Sequence, residues 1–158
     1  MSLRRPRFAI VRARFNEPIT KALLDGALRG FAAGRIPRRS IDIVEVPGAF
    51  ELPVAAAWLA KSRKYGAIVC IGCIVRGETP HFEYVASASA HGINAVGRDT
   101  GIPVILGVLT TDTVEQAWSR AAASDAPARQ HTEDAAGSNK GYEAARAAID
   151  MALLRRSV

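Results

Sequence analysis

Residues 67–85 read AIVCIGCIVRGETPHFEYV, and this stretch holds an apolar run, a short polar turn and the start of an amphipathic segment. The apolar run over 67–75 is short and rich in β-branched residues, which predicts a buried strand. Thr79 is a good N-cap and Pro80 a good first helical residue, so the spacing predicts a helix that begins at Pro80. A strand, a turn and a helix in this order form the repeating unit of α/β proteins.

The same alternation extends over the rest of the chain. Further short apolar runs predict strands at Phe8–Ala13, Ile41–Val46 and Val104–Leu109. Apolar residues at helical spacing predict helices at Glu17–Ala33, Glu51–Ala60, Phe82–Val96, Thr113–Ala123 and Lys140–Leu154. Strands that alternate with helices predict a parallel sheet with right-handed crossovers. The nearly continuous apolar strands agree, because parallel strands are covered on both faces.

Length and composition favour a single domain over residues 1–158, with 49% apolar residues to supply its core. No run approaches the roughly 18 apolar residues of a membrane span. The sequence MSLRRPRFAIV at the start lacks the apolar core of a signal peptide. We therefore expect a soluble, cytoplasmic protein that binds no membrane. The segment 121–138, rich in Ala, Ser and Asp, is interpreted as a long loop or a frayed helix end.

The formal net charge of +6 raises the question of nucleic-acid binding. Arginines cluster at 4–5, 38–39 and 155–156, which are termini and turns and do not form one helical stripe. No RNP, KH or zinc-finger pattern accompanies them. We therefore expect no nucleic-acid partner, and interpret the excess as surface charge with a few cations for an anionic ligand.

Cys70 and Cys73 have the C-x-x-C spacing of redox and metal sites. Positions three apart on a strand point to opposite faces, so the two thiols are poorly placed to pair. We interpret them as buried structural residues. No group of His, Asp and Glu has metal-ligand spacing, and Walker, dinucleotide and nucleophile-elbow motifs are absent. The sequence therefore predicts a site that uses neither a metal nor a nucleotide.

Ligands of open α/β sheets bind beyond the carboxyl ends of the strands. That rule selects four turns, at 14–16, 47–51, 76–81 and 110–111. Phe15 and Phe50 lie in two of these turns, and together they make a stacking platform for a planar ring plausible. Glu51 follows at a helix start, where it either complements the helix dipole or accepts hydrogen bonds from ligand hydroxyls.

The turn over 76–81 has the features of an anion site. Free N–H groups at a helix start favour an anion, and Gly77 allows the backbone to approach a ligand closely. Arg76 adds a cation, and a neutral His81 in the first helical turn is suited to act as a base. A plain helix cap with a surface histidine explains the same residues, and the turn by itself leaves both interpretations open.

With these residues the chain resembles the lumazine synthase family. The matching motifs are Arg14-Phe15-Asn16, VPGAFELPVAA from Val46, GCIVRGETPHFEYV from Gly72, GVLTTDTVEQAWSRA from Gly107 and NKGYEAA from Asn139. The resemblance covers nearly the whole chain. It implies a three-layer sandwich with a four-stranded parallel sheet in flavodoxin-like order. It also implies a transferase of riboflavin biosynthesis that needs no cofactor. This enzyme condenses 5-amino-6-(D-ribitylamino)uracil with 3,4-dihydroxy-2-butanone 4-phosphate and releases phosphate and water.

The resemblance also implies how the first substrate is bound. Phe15 would stack on the pyrimidinedione ring. Ala49, Phe50 and Glu51 would hold the ribityl chain and the ring edge.

The remaining roles within one subunit concern the pyrimidine and the phosphate. Ile74 and Val75 would contact the pyrimidine. Glu78 and Thr79 would offer backbone donors to the phosphate of the second substrate. His81 would be the catalytic residue that transfers protons. The predicted anion site therefore coincides with the family's phosphate site.

Other roles fall to a neighbouring subunit, because the family places its active sites between adjacent subunits of a homo-oligomer. Arg120 of the neighbour would bind the phosphate, and its Leu106 would cover the ring where relatives often have Phe. Lys140 would lie near the pyrimidine. Family members form pentamers, decamers or icosahedral shells, and many have a short turn where this chain has residues 121–138. The long segment should obstruct a shell, so we expect a pentamer, with a decamer as the alternative.

Two other functions are compatible with parts of this pattern. A paralogue that binds flavin or lumazine with little catalysis would share most of the motifs, but the intact turn, His81 and Arg120 favour the enzyme. A generic flavodoxin-like FMN module would share the sheet. It would be expected to carry a phosphate loop rich in Ser and Thr after the first strand, where this chain has Arg14-Phe15-Asn16-Glu17.

Overall fold

The computed structural model describes residues 5–122 and 139–158, and the remaining residues, with most of the predicted loop over 121–138, lie outside this part. Its sheet is all-parallel with the order β2-β1-β3-β4, which confirms the predicted flavodoxin-like arrangement. The strands are β1 Phe8–Ala13, β2 Ile41–Val46, β3 Ala67–Val75 and β4 Val104–Thr111. Strand β4 is two residues longer than predicted, because Thr110 and Thr111 continue the ladder opposite Ile74 and Val75.

The described residues contain five α-helices and two short 3₁₀ turns. The helices are α1 Glu17–Ala33, α2 Leu52–Lys61, α3 His81–Thr100, α4 Val114–Arg120 and α5 Lys140–Ser157, and the 3₁₀ turns are Arg38–Ser40 and Ala49–Glu51. All five predicted helices are confirmed; α1 has the predicted bounds, and the other four have shifted ends. Helix α3 begins at His81 and not at Pro80, which itself takes the cap position. The helix runs past the predicted end to Thr100 and stops at Gly101, whose φ of 70° suits a left-handed C-cap.

The sheet is covered on both faces, which confirms the three-layer arrangement. Helices α1 and α5 pack on one face, where Phe8 and Ile10 are fully buried. Helices α2 and α3 pack on the other face against Ala9 and Val11.

The two cysteines of β3 lie in different halves of this core. Cys70 belongs to the cluster beneath α2 and α3, whereas Cys73 belongs to the cluster beneath α1 and α5. Both are free and buried, as the alternation of a strand predicts. Burial raises the pKa of Cys70 to about 12 and that of Cys73 to about 11.

Helices α1 and α5 approach each other closely through glycines. A Cβ atom on Gly141 would lie 1.9 Å from the carbonyl oxygen of Leu23, and one on Gly30 would lie 2.6 Å from that of Tyr142. Only residues without a side chain allow this separation.

Asn139, the N-cap of α5, joins three parts of the chain. Its Nδ2 donates to the carbonyl oxygens of Ala22 at 3.1 Å and of Ala121 at 3.2 Å, and its Oδ1 accepts from the backbone N–H of Tyr142 at 3.0 Å. The two described ends that flank residues 123–138 are therefore hydrogen-bonded to each other.

An ionic cluster lies at the amino ends of the strands. The guanidinium of Arg7 donates to both carboxylate oxygens of Asp42 at 2.8 Å, and the hydroxyl of Tyr65 donates to the same carboxylate at 2.7 Å. These hydrogen bonds, with that of Arg7 the largest cause, lower the pKa of Asp42 below its usual value. The cluster stabilises the edge of the sheet opposite to the candidate site.

Candidate active site

The turns after the strands are joined by backbone hydrogen bonds that continue the parallel ladders. The N–H of Arg14 donates to Val46 at 2.9 Å and that of Phe15 donates to Pro47 at 3.0 Å. Between β3 and β4, the N–H of Arg76 donates to the carbonyl oxygen of Thr111 at 2.8 Å. The four turns selected from the sequence therefore lie along one edge of the sheet.

Asn16 holds the turn that carries Phe15. It has a left-handed backbone with φ 59° and ψ 47°, a conformation that Asn tolerates better than most residues. Its carbonyl oxygen accepts from the N–H groups of Ile19 and Thr20, both at 3.1 Å. Its Nδ2 donates to the carbonyl oxygen of Cys73 at 2.8 Å. Phe15 is 72% exposed, but its backbone is fixed from both sides.

A buried arginine supports the same turn from below. Arg12 is only 2% exposed, although it lies in a strand that was predicted from its apolar residues. Its guanidinium donates to the Glu45 carboxylate at 2.6 Å and to the Thr20 hydroxyl at 3.1 Å. Hydrogen bonding by Arg12 lowers the pKa of Glu45. This contact ties the ends of β1 and β2 to the first turns of α1.

A cavity of about 580 Å³ opens at this edge of the sheet. Most of the predicted site residues line it, namely Phe15, Ala49, Phe50, Glu51, Ile74, Val75, Thr79 and His81. Its walls are largely apolar, and its polar side chains are Glu51 before α2, Thr79 and His81 after β3, and Tyr84 on α3. An exposed aromatic ring at an apolar wall can stack on a planar ligand.

Glu51 uses one carboxylate oxygen within the chain. The backbone N–H of Gly48 donates to its Oε2 at 3.1 Å, which closes the 3₁₀ turn before α2. A Cβ atom on Gly48 would lie 3.2 Å from that oxygen. Glu51 also lines the cavity, so both of the roles considered from the sequence are compatible with its position.

The turn after β3 is exposed and contains few internal contacts. Residues 76–81 are all solvent-exposed, and a Cβ atom on Gly77 would meet nothing within 4 Å. Thr79 does not cap α3 in the predicted way, since its Oγ1 accepts only a long hydrogen bond of 3.4 Å from the backbone N–H of His81. His81 is the first residue of α3 and lines the cavity, so its side chain and the helix start face the same space.

Arg76 does not have the role expected of it. Its Nε donates to Oδ1 of Asp112 at 2.8 Å, its NH1 pairs with Glu83, and its guanidinium lies 4.4 Å from the centre of the Phe82 ring. The hydrogen bonds that Arg76 donates to Asp112 and Glu83 raise its own pKa and lower the pKa of Glu83. These four residues form what we call the Arg76 cluster. One cation faces two carboxylates there, so Arg76 is not an unopposed positive charge for a ligand.

Four predicted residues lie outside the cavity of the described chain. Glu78 is exposed in the turn beside it. Leu106 is 53% exposed on β4, which is an edge strand. Arg120 ends α4 and donates to the carbonyl oxygen of Gln116 at 3.2 Å, and the Nζ of Lys140 pairs with Glu143 at 2.9 Å. A single chain therefore places Glu78 next to the cavity and leaves Leu106, Arg120 and Lys140 apart from it.

Other residues at the cavity were not predicted as ligand contacts. They are Gly48, Cys73, Phe82, Tyr84 and Val85, whereas Gly77, which also lines the cavity, was expected to let the backbone approach a ligand. Two of them could have been predicted from helical spacing. Tyr84 and Val85 lie three and four residues after His81 and therefore share its face of α3.

Within residues 5–122 and 139–158, no group of three or more His, Cys, Asp or Glu side chains could hold a metal ion. No helix in these ranges is long and apolar enough to cross a bilayer.

The comparison with known protein families agrees with the site. A sequence model of the 6,7-dimethyl-8-ribityllumazine synthase family matches residues 5–156. The match includes all the strands, all the helices but the final residue of α5, and every residue that lines the cavity. This family comprises transferase-type enzymes that act on small molecules and form oligomers. The chain therefore belongs to the 6,7-dimethyl-8-ribityllumazine synthase family.

Proposed function

We propose that the chain catalyses the reaction after which its family is named. It would condense 5-amino-6-(D-ribitylamino)uracil with 3,4-dihydroxy-2-butanone 4-phosphate to give 6,7-dimethyl-8-ribityllumazine, phosphate and water. The observation that carries the proposal is the cavity that combines the exposed ring of Phe15 with His81 at the start of α3. A cytoplasmic location stays a prediction.

The apolar end of the cavity suits the pyrimidine substrate. Phe15 offers a ring on a fixed backbone, and Ile74 and Val75 supply apolar contacts at the end of β3. Ala49 and Phe50 precede α2, so the ribityl chain would lie along this turn, with Glu51 accepting from its hydroxyl groups. Apolar walls with a few oriented polar groups are the usual form of a small-molecule site.

The polar end suits the phosphate of the second substrate. The backbone of Glu78 and Thr79 precedes α3, whose free N–H groups and dipole favour an anion. The two carboxylates around Arg76 oppose its charge, so the compensating cation would come from Arg120 of a neighbouring subunit. Leu106 of the neighbour would cover the ring, and Lys140 would lie near the pyrimidine. This assignment is supported by their position outside the cavity of their own chain and by the exposed edge strand that carries Leu106.

The chemistry requires little beyond alignment and proton transfer. The primary amine of the pyrimidine attacks the ketone and forms an imine with loss of water. Phosphate then leaves, the ribitylamino nitrogen closes the ring on the remaining carbonyl, and a second water is released. Bound reactants gain from alignment in the cavity. His81 would move protons between the attacking amine and the leaving groups.

The direct test mixes the two substrates with the purified protein and follows the absorbance of the lumazine against a control without enzyme. We expect a rate well above the control. A rate equal to the control would contradict the proposal, and tight binding of lumazine without turnover would instead identify a binding paralogue.

The proposed assembly is a pentamer, with active sites between adjacent subunits. The long segment between α4 and α5 is the reason for excluding a shell, because a short turn occupies this place in many relatives. Light scattering on the purified protein should give the mass of a pentamer, or of a decamer. A particle near a megadalton would contradict this assembly.

A further inference from the structure

We propose that Arg76 is a positioning residue, which fixes the turn over 77–80 and the first turn of α3 against the end of β4. The inference deepens the proposed function and rests on it, because the turn matters only if it binds the phosphorylated substrate. It replaces the interpretation of Arg76 as a cation for that substrate. Arg76 lies directly before Gly77 and after the last residue of β3.

The contacts of Arg76 join three separate elements. Its backbone N–H donates to the carbonyl oxygen of Thr111 at 2.8 Å, which extends the ladder between β3 and β4. Its side chain donates to Asp112 just beyond β4 at 2.8 Å and pairs with Glu83 in the first turn of α3. The guanidinium also lies over the ring of Phe82. One residue therefore connects the end of β3, the end of β4 and the start of α3.

Asp112 is itself held in place, so it can serve as an anchor. Its backbone N–H donates to Oε1 of Gln116 at 2.9 Å. The N–H of Gln116 donates to Oγ1 of Thr113 at 3.1 Å, which caps α4. The carboxylate that receives Arg76 therefore projects from a turn with two side-chain hydrogen bonds of its own.

The turn between the anchors has little else to hold it. Its residues are exposed, and a Cβ atom added to Gly77 would meet nothing within 4 Å. The hydrogen bond from the backbone N–H of His81 to Oγ1 of Thr79 is long, at 3.4 Å. Apolar packing contributes little to order in a segment of this kind. The polar contacts of the Arg76 cluster are therefore the main restraint on the backbone that precedes His81.

Positioning and simple electrostatics predict opposite effects for one substitution. Asp112→Asn removes a negative charge near the turn, so electrostatics by itself would strengthen phosphate binding and lower the KM for the butanone phosphate. Positioning predicts that the turn loosens and that this KM rises. We expect a rise of about two- to fivefold, in line with the loss of a half-exposed ion pair. The KM for the pyrimidine should stay unchanged.

Hydrogen exchange measures the turn without relying on activity. Peptides that cover 77–83 should exchange several-fold faster in Asp112→Asn, Glu83→Gln and Arg76→Gln than in the natural protein. Arg76→Lys should recover part of the protection of Arg76→Gln, because lysine can pair with one carboxylate but lacks the planar fork. The matched control is Asp42→Asn, which removes the other Arg–Asp pair at the opposite edge of the sheet. It should leave exchange over 77–83 and both KM values unchanged.

Two results would overturn the inference: exchange over 77–83 that is the same in Asp112→Asn as in the natural protein, or a lowered KM for the butanone phosphate. Circular dichroism on every variant separates a local effect from unfolding. If the natural protein forms no lumazine, the proposed function fails, whereas the exchange measurement still decides whether Arg76 orders the turn.

Discussion

The Nδ2 of Asn16 donates a hydrogen bond of 2.8 Å to the carbonyl oxygen of Cys73 and thereby joins the turn after β1 to the end of β3. Cys73 itself lies on the cavity wall, so one side chain sets the position of Phe15 relative to the floor of the site. Asn16 achieves this with a left-handed backbone at φ 59°. A side-chain contact and an unusual backbone conformation therefore depend on the same residue.

Replacing Asn16 should separate these two contributions. Asn16→Ala loses the hydrogen bond and retains a strained backbone, so we expect a loss of about 2 kcal/mol in the free energy of unfolding. Asn16→Gly loses the hydrogen bond but accepts the positive φ, and it should be less destabilised. Urea denaturation of both variants measures the difference. Equal stability of the two variants would show that the backbone is not strained.

The roles proposed for His81 and Arg120 predict different kinetic changes. His81→Ala should lower kcat by roughly tenfold and leave substantial activity, because alignment of the substrates is retained. Arg120→Ala should raise the KM for the butanone phosphate by about tenfold or more, as expected for loss of a charged hydrogen bond. Steady-state kinetics on both variants provides the measurement. An unchanged KM in Arg120→Ala would contradict its phosphate role.

The close approach of α1 and α5 predicts a severe effect at Gly141. In Gly141→Ala the new Cβ would start 1.9 Å from the carbonyl oxygen of Leu23, so the helices must separate. We expect a loss of about 3 kcal/mol or more in the free energy of unfolding. The control is Gly77→Ala, where the added Cβ meets nothing within 4 Å and stability should change by less than about 0.5 kcal/mol. A thermal or urea melt compares the two.

The ionic cluster at Asp42 predicts the acid dependence of stability. Hydrogen bonds from Arg7 and then from Tyr65 lower the pKa of Asp42 in the folded state below its usual value of 3.8. In this range the unfolded chain binds a proton that the folded chain does not, so stability falls as the pH falls. The contribution is fully present at neutral pH, and its loss begins as the pH approaches 3.8 and continues below it.

Asp42→Asn should therefore reduce this slope. Urea midpoints measured from pH 7 to pH 3 should converge between the variant and the natural protein as the pH falls. Parallel curves over the whole range would show that Asp42 is not paired in solution.

Burial predicts that the thiols of β3 are inert in the folded protein. Their pKa values of about 12 and about 11 leave almost no thiolate at pH 8, and both side chains are buried. Ellman's reagent at pH 8 should therefore give no rapid reaction with the native protein and two equivalents in guanidinium chloride. Formation of a disulfide between Cys70 and Cys73 under mild oxidation would contradict their placement on opposite faces of the sheet.

The sequence predicted the sheet well because buried parallel strands consist of short continuous apolar runs. The bounds of β1, β2 and β3 match the prediction to the residue, but β4 does not. Thr110 and Thr111 look like loop residues in the sequence, and only their pairing with the end of β3 makes them strand.

The candidate site was predictable where a local rule applied. The rule that ligands bind at the carboxyl ends of strands identified Phe15, Phe50 and His81 from their places in the turns. The role of Arg76 was not predictable, because its partner Asp112 lies 36 residues away and no pattern links them. The contributions of Leu106 and Arg120 depend on a second subunit and stay predictions.

The hydrogen bond between Asn139 and Ala121 brings the two flanks of residues 123–138 to one point on the surface of the folded chain. The entropic free-energy cost of closing a loop grows only slowly with its length, by about 0.6 kcal/mol for each doubling. Insertions and deletions between these flanks should therefore change the free energy of unfolding only slightly. The same point offers a place to graft a foreign peptide, or to open the chain and create new termini in a circular permutant.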